Sequence, residues 1–319
     1  MRDTTTDADR SHGPVGVFLR GMAMGAADIV PGVSGGTIAF ITGIYFRLLE
    51  AISAAPAAVF RHLAKGQVRR FWQAVDGPFL LTLLVGIITS IATLASLITW
   101  LLSEHTILIW SFFFGLILAS VWHVSLQVRR FSPVLLLPLL AGIVIAWFLT
   151  TLPASEVAPS GVAFLGAGAL AICAMILPGV SGSFLLLIIG MYSPVLAAVK
   201  SFDVVSLGLF LAGCVLGLLS AAKVITLAFR HFHDMVLVLL TGFMIGALSK
   251  VWPWQETLSW RTNSAGDQVP LSQTPVMPAA WENLYHQEPL VVPAILMALL
   301  GLALVLILES MARKPVNNA

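Results

Sequence analysis

The chain has 319 residues, of which 58% are hydrophobic and 10% are charged, and its mean hydropathy is +0.95. This composition excludes a water-soluble domain and is typical of an integral membrane protein. The formal net charge of +2 is too small to indicate a nucleic-acid partner. Both cysteines, Cys173 and Cys214, lie in apolar segments, so we expect no disulfide framework, no metal site and no cofactor.

Residues 1–20 are polar and contain no apolar core followed by a cleavage site. We therefore expect a cytoplasmic tail rather than a signal peptide. A second cytoplasmic tail is predicted for residues 313–319. Between the tails, a bilayer core requires about 20 apolar residues for each spanning helix. Segments of that length lie at 79–101, 107–128, 133–152, 204–228, 234–251 and 290–310.

Two further apolar regions, 21–46 and 161–199, are interrupted by the related hexapeptides PGVSGG (31–36) and PGVSGS (178–183). The same register also aligns Gly43 with Gly190, Tyr45 with Tyr192 and Leu49 with Leu196. This recurrence predicts an internal duplication, with repeat 1 at 21–152 and repeat 2 at 161–312. Each repeat comprises one broken hairpin and three spans, and repeat 2 has an enlarged external loop at 252–289.

Three spans per repeat is an odd number, so the second repeat must enter the membrane from the opposite face. The predicted fold class is an all-α polytopic membrane protein made of two inverted repeats, each a re-entrant helical hairpin plus three transmembrane helices. With both termini in the cytoplasm, the basic residues are concentrated inside, as the positive-inside rule expects. Those predicted inside are Arg2, Arg10, Arg20, Arg47, Arg61, Lys65, Arg69, Arg70, Arg129, Arg130, Arg230, Arg313 and Lys314; those outside are Lys200, Lys250 and Arg261.

The hexapeptide turns are predicted to lie near the middle of the membrane, because each arm of the first hairpin is long enough for only half the hydrocarbon. The second hairpin could be re-entrant or fully spanning, since residues 161–177 are nearly long enough to cross the membrane alone. Unpaired amides, a positive dipole end and hydroxyl groups at the start of an outgoing half-helix favour anion binding. We expect a substrate with a phosphate or carboxylate group, bound by Gly32, Ser34, Gly35, Gly36, Thr37, Gly179, Ser181, Gly182 and Ser183. The alternative is that the turns only pack on one another, with the hydroxyls acting as caps.

Arg47, at the end of the first hairpin, and Lys223, near the cytoplasmic end of its span, are the candidate cations for the bound anion. Arg47 could instead be an inside anchor, and Lys223 could extend to the headgroups. Pro194 replaces Arg47 in the second repeat, so an Arg role is not symmetric.

Three residues are candidates for proton coupling: Asp28, Glu104 and His105. Asp28 is predicted near mid-membrane, where a carboxylate is costly, and its counterpart in the second repeat is Met175. It could alternatively cap the free amides of its own hairpin. Glu104 and His105 lie in a short external turn, which could equally be an ordinary solvated loop. The histidines of RHFHD (230–234) are not expected to bind a metal, since no further ligand type accompanies them.

The duplicated PGVSG hairpin with its continuation, GVSGGTIAFITGIYFRLLEAI, resembles the PopT-type polyprenyl-phosphate (undecaprenyl-phosphate) transporters, formerly a family of unknown function. The resemblance extends over about residues 15–312. It implies a flippase of the bacterial cytoplasmic (inner) membrane that returns the undecaprenyl phosphate carrier from the outer to the inner leaflet. The carrier would then be reused in peptidoglycan and envelope polymer synthesis. The implied partners are the polyprenyl-phosphate lipid and the bilayer.

Two other functions remain open from the residues alone. A secondary transporter or channel for a small anion would use the same half-helix site. An intramembrane lipid phosphatase is less favoured, because no His or Cys base lies near either PGVSG motif and no catalytic residue is assigned. The coupling ion, the preferred chain length and the oligomeric state are not indicated by the sequence.

Overall fold

The computed structural model describes residues 13–30, 33–152, 158–262 and 268–313. The first half of the chain contains the following helices: α1 (Pro14–Ile29), α2 (Gly35–Ile41), α3 (Tyr45–Arg61), α4 (Val68–Ala74), α5 (Gly77–Glu104), α6 (Thr106–Ser125) and α7 (Leu136–Thr151). The second half contains α8 (Gly161–Ile176), α9 (Gly182–Ile188), α10 (Tyr192–Ser201), α11 (Val204–Ala247), α12 (Pro278–Tyr285) and α13 (Val291–Arg313). Helix α1 begins within the segment predicted as a tail, 1–20. Strands β1 (Gln255–Thr262) and β2 (Gln268–Pro275) pair antiparallel.

The polytopic helical class is confirmed. Within the described ranges, four helical segments are long and apolar enough to cross a bilayer, or six if each of two bent pairs is one span. They are Gly77–Glu104, Thr106–Ser125, Pro133–Thr151 and Val204–Ala247. The predicted loop at 252–289 is not only loop, because it contains the β1–β2 hairpin and α12.

The hairpin segments of the two repeats have the same helix pattern. Helices α1 and α8 each have 16 residues, and α2 and α9 each have 7. Each helix start is separated from its counterpart by the same stretch of chain that separates Pro31 from Pro178. The recurrence of the motifs is therefore accompanied by a recurrence of helix lengths and helix spacing, and the duplication itself stays a prediction.

A second bend follows each short helix. Helix α2 ends at Ile41, not at residue 46 as the predicted hairpin boundary implied, and the chain turns by 117° before α3. The corresponding bend between α9 and α10 is 106°. Gly43 (φ 73°) and Gly190 (φ 72°) adopt the left-handed conformation at these bends, which a residue with a Cβ rarely adopts.

The long helices also have matching breaks. Helices α5 and α6 are separated at His105, whose φ and ψ are −128° and 41°. The 44-residue helix α11 has one non-helical residue, Phe232, with φ −134° and ψ 46°. The spans predicted at 204–228 and 234–251 thus lie on one helix that is interrupted at Phe232.

The chain divides into two compact units. The first comprises Met1–Ile98 and Leu152–Val236 and contains both hairpins. Within it, Gly21 of α1 lies against Leu83 and Gly86 of α5, and Gly168 of α8 lies against Phe210 and Cys214 of α11. Small residues permit such close approach of helices in a membrane, where lipid contributes no hydrophobic drive for association.

The second unit comprises Thr99–Thr151 and Leu237–Ala319. Helix α6 packs on α13 through Gly115 and Gly301, and α7 packs on the end of α11 through Gly142 and Gly242. Each pair takes one helix from each repeat.

The β-hairpin belongs to the second unit and is held by two tryptophans. Trp252 Nε1 donates to the Val276 carbonyl at 2.8 Å, and Trp254 Nε1 donates to the Pro289 carbonyl at 2.8 Å. Both bonds tie the strands to the chain that flanks α12.

Candidate functional site

The start of α2 is bonded directly to the second hairpin. The Ser34 hydroxyl donates to the Met175 carbonyl at 2.9 Å and accepts from the Gly36 amide at 3.1 Å. Thr37 Oγ1 accepts from the Gly179 amide at 2.9 Å. Ser34 and Thr37 are each only 1% exposed, so these bonds are shielded from solvent. Side chains of the first hairpin therefore bond backbone groups of the second hairpin.

Asp28 lies at the same helix start. Its Oδ1 accepts from the Gly35 amide at 2.7 Å. A Cβ on residue 35 would lie 2.6 Å from the Asp28 carboxylate, so glycine allows this close approach. In the first hairpin, a side-chain carboxyl group of the protein itself therefore already occupies the amino end of α2.

The second hairpin has different chemistry at the same place. Met175 lies beside Gly182, where Asp28 lies beside Gly35 in the first copy. Ser181 makes no capping bond to α9, and its hydroxyl is 3.0 Å from that of Ser183. Ser183 is exposed, whereas its counterpart Gly36 is buried against the carbonyls of Met175 and Ile176.

These positions are the ones for which the sequence predicts anion binding. Gly32 lies outside the described residues. For the others, anion binding stays a prediction. The structure shows that the hydroxyls of the first copy bond within the protein, as the packing alternative expected. The hydroxyls of Ser181 and Ser183 bond to each other.

A cavity of about 960 Å³ in the first unit is lined by both predicted cations, Arg47 and Lys223. Arg61, Arg230 and His62 line the same cavity, as do two carboxylates, Glu50 and Asp76. Sequence reasoning assigned Arg61 and Arg230 only to the positive-inside count. The signal that could have indicated a shared site is their position at helix ends, since Arg61 ends α3 and Arg230 precedes the break in α11.

Arg47 is held on two sides. Its Nε donates to Asp76 Oδ2 at 2.7 Å, and its Cζ lies 4.2 Å from the centroid of the Phe79 ring. The side chain is 17% exposed. Its Nη1 is buried and has no hydrogen-bond partner among the described residues, and the same is true of the Thr226 hydroxyl, which also lines the cavity. Buried donors are normally paired, so two open donors at one cavity indicate a place for an acceptor.

Asp76 was not identified from the sequence. It occupies the turn between α4 and α5 and adopts a left-handed conformation (φ 49°), which Asp and Asn tolerate better than most residues. The available signal was a single acidic residue after the basic stretch that contains Lys65, Arg69 and Arg70.

The predicted external pair lies in the second unit. Glu104 ends α5, and both Glu104 and His105 are exposed. The His105 ring packs edge-on against Trp100, with ring centroids 5.2 Å apart. Their role in coupling stays a prediction. Over the described part of the chain, no cluster of three His, Cys, Asp or Glu side chains could hold a metal ion.

The comparisons with known proteins agree with one another. The model of a family described as undecaprenyl phosphate translocase-like (VCA0040-like) matches residues 24–269. A polyprenyl-phosphate transporter of Vibrio cholerae serotype O1 is 50% identical over 307 residues, which cover 96% of this chain and 100% of that protein. One from Staphylococcus aureus is 34% identical over 258 residues, covering 74% of this chain and 85% of the relative. No solved structure matches. The chain belongs to the undecaprenyl phosphate translocase-like family.

Proposed function

We propose that this protein transports polyprenyl phosphate across the cytoplasmic membrane and returns it from the outer to the inner leaflet for reuse in peptidoglycan and envelope polymer synthesis. The two relatives are named polyprenyl-phosphate transporters, which supports the substrate. The proposal assigns the chain no catalytic residue.

The physical problem of this transport is the headgroup. An unpaired phosphate is costly to place in hydrocarbon, whereas the isoprenoid tail is at home in lipid throughout. A transporter therefore needs a polar route for the phosphate and a lateral opening for the tail. Broken helices supply backbone polar groups within a membrane, where they are tolerated only against protein or a water-filled cavity.

The observation that carries the proposal is the basic cavity. Arg47, Arg61, Lys223 and Arg230 line it, and Arg47 retains an open donor. Guanidinium groups match phosphate oxygens in geometry and remain charged at all relevant pH values. We assign this cavity to the inner-leaflet side, because Arg47, Arg61 and Arg230 fall on the predicted cytoplasmic side of the chain.

The proposed topology places both termini in the cytoplasm and the two repeats in opposite orientations. The repeated helix pattern supports the duplication. The odd number of spans and the distribution of basic residues support the inversion. Cysteine labelling from outside should reach residues 104 and 265 but not 65 or 313, and labelling at 65 would contradict this topology.

The function is tested by measuring undecaprenyl phosphate in the outer leaflet with a headgroup-specific probe. Cells depleted of this protein and of any redundant carrier transporter should accumulate the lipid. Wild type should reverse the accumulation, and Arg47→Gln or Lys223→Gln should not. Lys200→Gln removes the same charge from a residue outside the cavity lining and is expected to complement fully.

Equal amounts of each protein in the membrane, shown by immunoblot, are needed for the comparison. An unchanged outer-leaflet signal after depletion would contradict the proposed function. Ion flux in liposomes would then test a small-anion transporter in its place.

A further inference from the structure

Asp76 is bonded to Arg47, one of the cations that the proposed function assigns to the phosphate. Its carboxylate therefore bonds a guanidinium that could otherwise bind a phosphate. Asp76 Oδ2 accepts from Arg47 Nε at 2.7 Å, on one edge of the planar group. Nη1 remains open. Because a guanidinium offers five donors in a fixed fork, a carboxylate at Nε leaves donors for a second acceptor.

We propose that Arg47 and Thr226 form the seat for a phosphomonoester headgroup and that Asp76 is a built-in competitor that limits how tightly the headgroup is held. This inference rests on the proposed function. The unpaired donors of the seat are Arg47 Nη1 and Thr226 Oγ1, two buried atoms of residues that line the same cavity. A phosphate has enough acceptor oxygens to bond both.

The need for a competitor follows from the number of cations. Four Lys and Arg side chains line the cavity, so a phosphate that entered it could be held too long for turnover. A carboxylate on Arg47 opposes this in two ways. It repels the phosphate, and it can reclaim the guanidinium when the headgroup leaves.

The position of Asp76 suits an exchangeable partner. Its side chain is 38% exposed, whereas that of Arg47 is 17% exposed and packed over Phe79. The cation is therefore the fixed member of the pair, and the carboxylate is the member that water reaches. A partly exposed ion pair contributes little free energy, so phosphate can replace it.

The second repeat provides an internal comparison. Asp203 immediately precedes α11, as Asp76 immediately precedes α5. Pro194 stands where the first repeat has Arg47, and Asp203 caps its own helix by accepting from the Val205 and Ser206 amides at 3.1 and 3.2 Å. Among the described contacts, Asp76 pairs with an arginine, whereas Asp203 accepts from backbone amides of its own helix.

The test measures binding of farnesyl monophosphate to the purified full-length protein in detergent, for wild type, Asp76→Asn and Glu50→Gln. Asn is suited to the left-handed backbone at residue 76, so folding should be retained. Asp76→Asn should tighten binding roughly three- to fivefold and slow dissociation. Glu50→Gln removes the other cavity carboxylate, for which no contact with Arg47 is described, and should change affinity less than about twofold.

Inorganic phosphate and farnesol are the comparison ligands. Both should bind much more weakly than farnesyl monophosphate. If inorganic phosphate bound as tightly as farnesyl monophosphate, the seat would be a site for free phosphate. That result would overturn the assignment of a lipid headgroup.

The remaining outcomes separate the inference from the function. Binding to Asp76→Asn that is equal to or weaker than wild type would overturn the competitor role and leave transport intact. An equal gain in affinity in Glu50→Gln would show that the effect comes from the net charge of the cavity. That result would also overturn the competitor role of Asp76. Failure of wild type to bind farnesyl monophosphate would contradict the proposed function itself.

Discussion

In the first hairpin, Asp28 bonds the Gly35 amide, whereas in the second hairpin Met175 lies beside the corresponding Gly182. The helices around these residues match in length, and both copies use a left-handed glycine at the second bend. The two hairpins therefore share helix lengths and bends but differ in their side chains. At these corresponding positions, the first copy has the charged residues Asp28 and Arg47 where the second has Met175 and Pro194.

The hydroxyl groups differ in the same way. Ser34 and Thr37 of the first hairpin bond the backbone of the second, at Met175 and Gly179. Ser181 and Ser183 bond each other. The side-chain bonds that join the two hairpins therefore come from the first hairpin. The hydroxyls of Ser181 and Ser183 can exchange partners without breaking these bonds.

The largest loss of stability at the contact between the two hairpins is expected from Gly36→Ala. The added methyl would lie 2.6 Å from the Met175 carbonyl oxygen and 2.8 Å from that of Ile176. Overpacking against backbone typically costs about 1–3 kcal/mol, so the melting temperature in detergent should fall clearly. Gly166→Ala is the control, because a Cβ there meets nothing within 4 Å and should leave stability equal or slightly higher.

Thr37→Val should come next. The change keeps the shape of the side chain but removes the acceptor of the Gly179 amide, at a residue that is 1% exposed. A buried donor left without a partner costs about 1–3 kcal/mol, measured as a loss of thermal stability. Thr89→Val, which removes an exposed hydroxyl bonded to its own helix, should change stability little. Equal effects would mean that the Thr37 bond does not hold the hairpins together.

Ser34→Ala and Ser181→Ala sharpen the comparison. Ser34→Ala should lower stability by about 1–2 kcal/mol, because both of its bonds are lost. Ser181→Ala should lower stability by less than about 0.5 kcal/mol, since its hydroxyl bonds only a neighbouring serine. Impaired complementation by Ser181→Ala, with normal stability, would assign that hydroxyl to the substrate path. A larger stability loss for Ser181→Ala than for Ser34→Ala would contradict the division of roles.

The smallest effect is expected at Asp203. Hydrogen bonds from the Ser206 hydroxyl and amide hold the pKa of Asp203 below its ordinary value of 3.8. The stability from this cap is present above the pKa of the unfolded chain and is lost as the pH falls through the lower pKa of the folded protein. Asp203→Asn should lower the melting temperature at pH 7 by less than roughly two degrees and remove that part of the acid dependence. An unchanged acid dependence would contradict the cap.

Much of the fold could be predicted because its signals are local. The two PGVSG motifs and the matching Gly43 and Gly190 predict the similar helix pattern of the two hairpins, and apolar length predicts the long helices. The sequence does not predict the bend after α2, because a glycine in an apolar segment does not by itself indicate the left-handed conformation that Gly43 adopts. The break at Phe232 has no glycine or proline to mark it.

The site was harder to predict because it depends on contacts that are distant in the chain. Arg47 and Lys223 were each singled out, but nothing in the spacing showed that they share a cavity. Asp76 was missed, since its partner lies 29 residues earlier. The sequence predicts the hydroxyls as polar groups in the membrane, but their bonds to the opposite hairpin depend on how the two hairpins pack together.

The most direct measurement is the rate at which a fluorescent polyprenyl phosphate crosses the bilayer of liposomes that contain the purified protein. Wild type should accelerate the movement, and Arg47→Gln should reduce the accelerated rate by at least about tenfold, because a charge-assisted phosphate contact is lost. Lys200→Gln should retain the wild-type rate. An Arg47→Gln protein that folds normally and transports at the wild-type rate would show that the headgroup does not use the charged side of the first repeat.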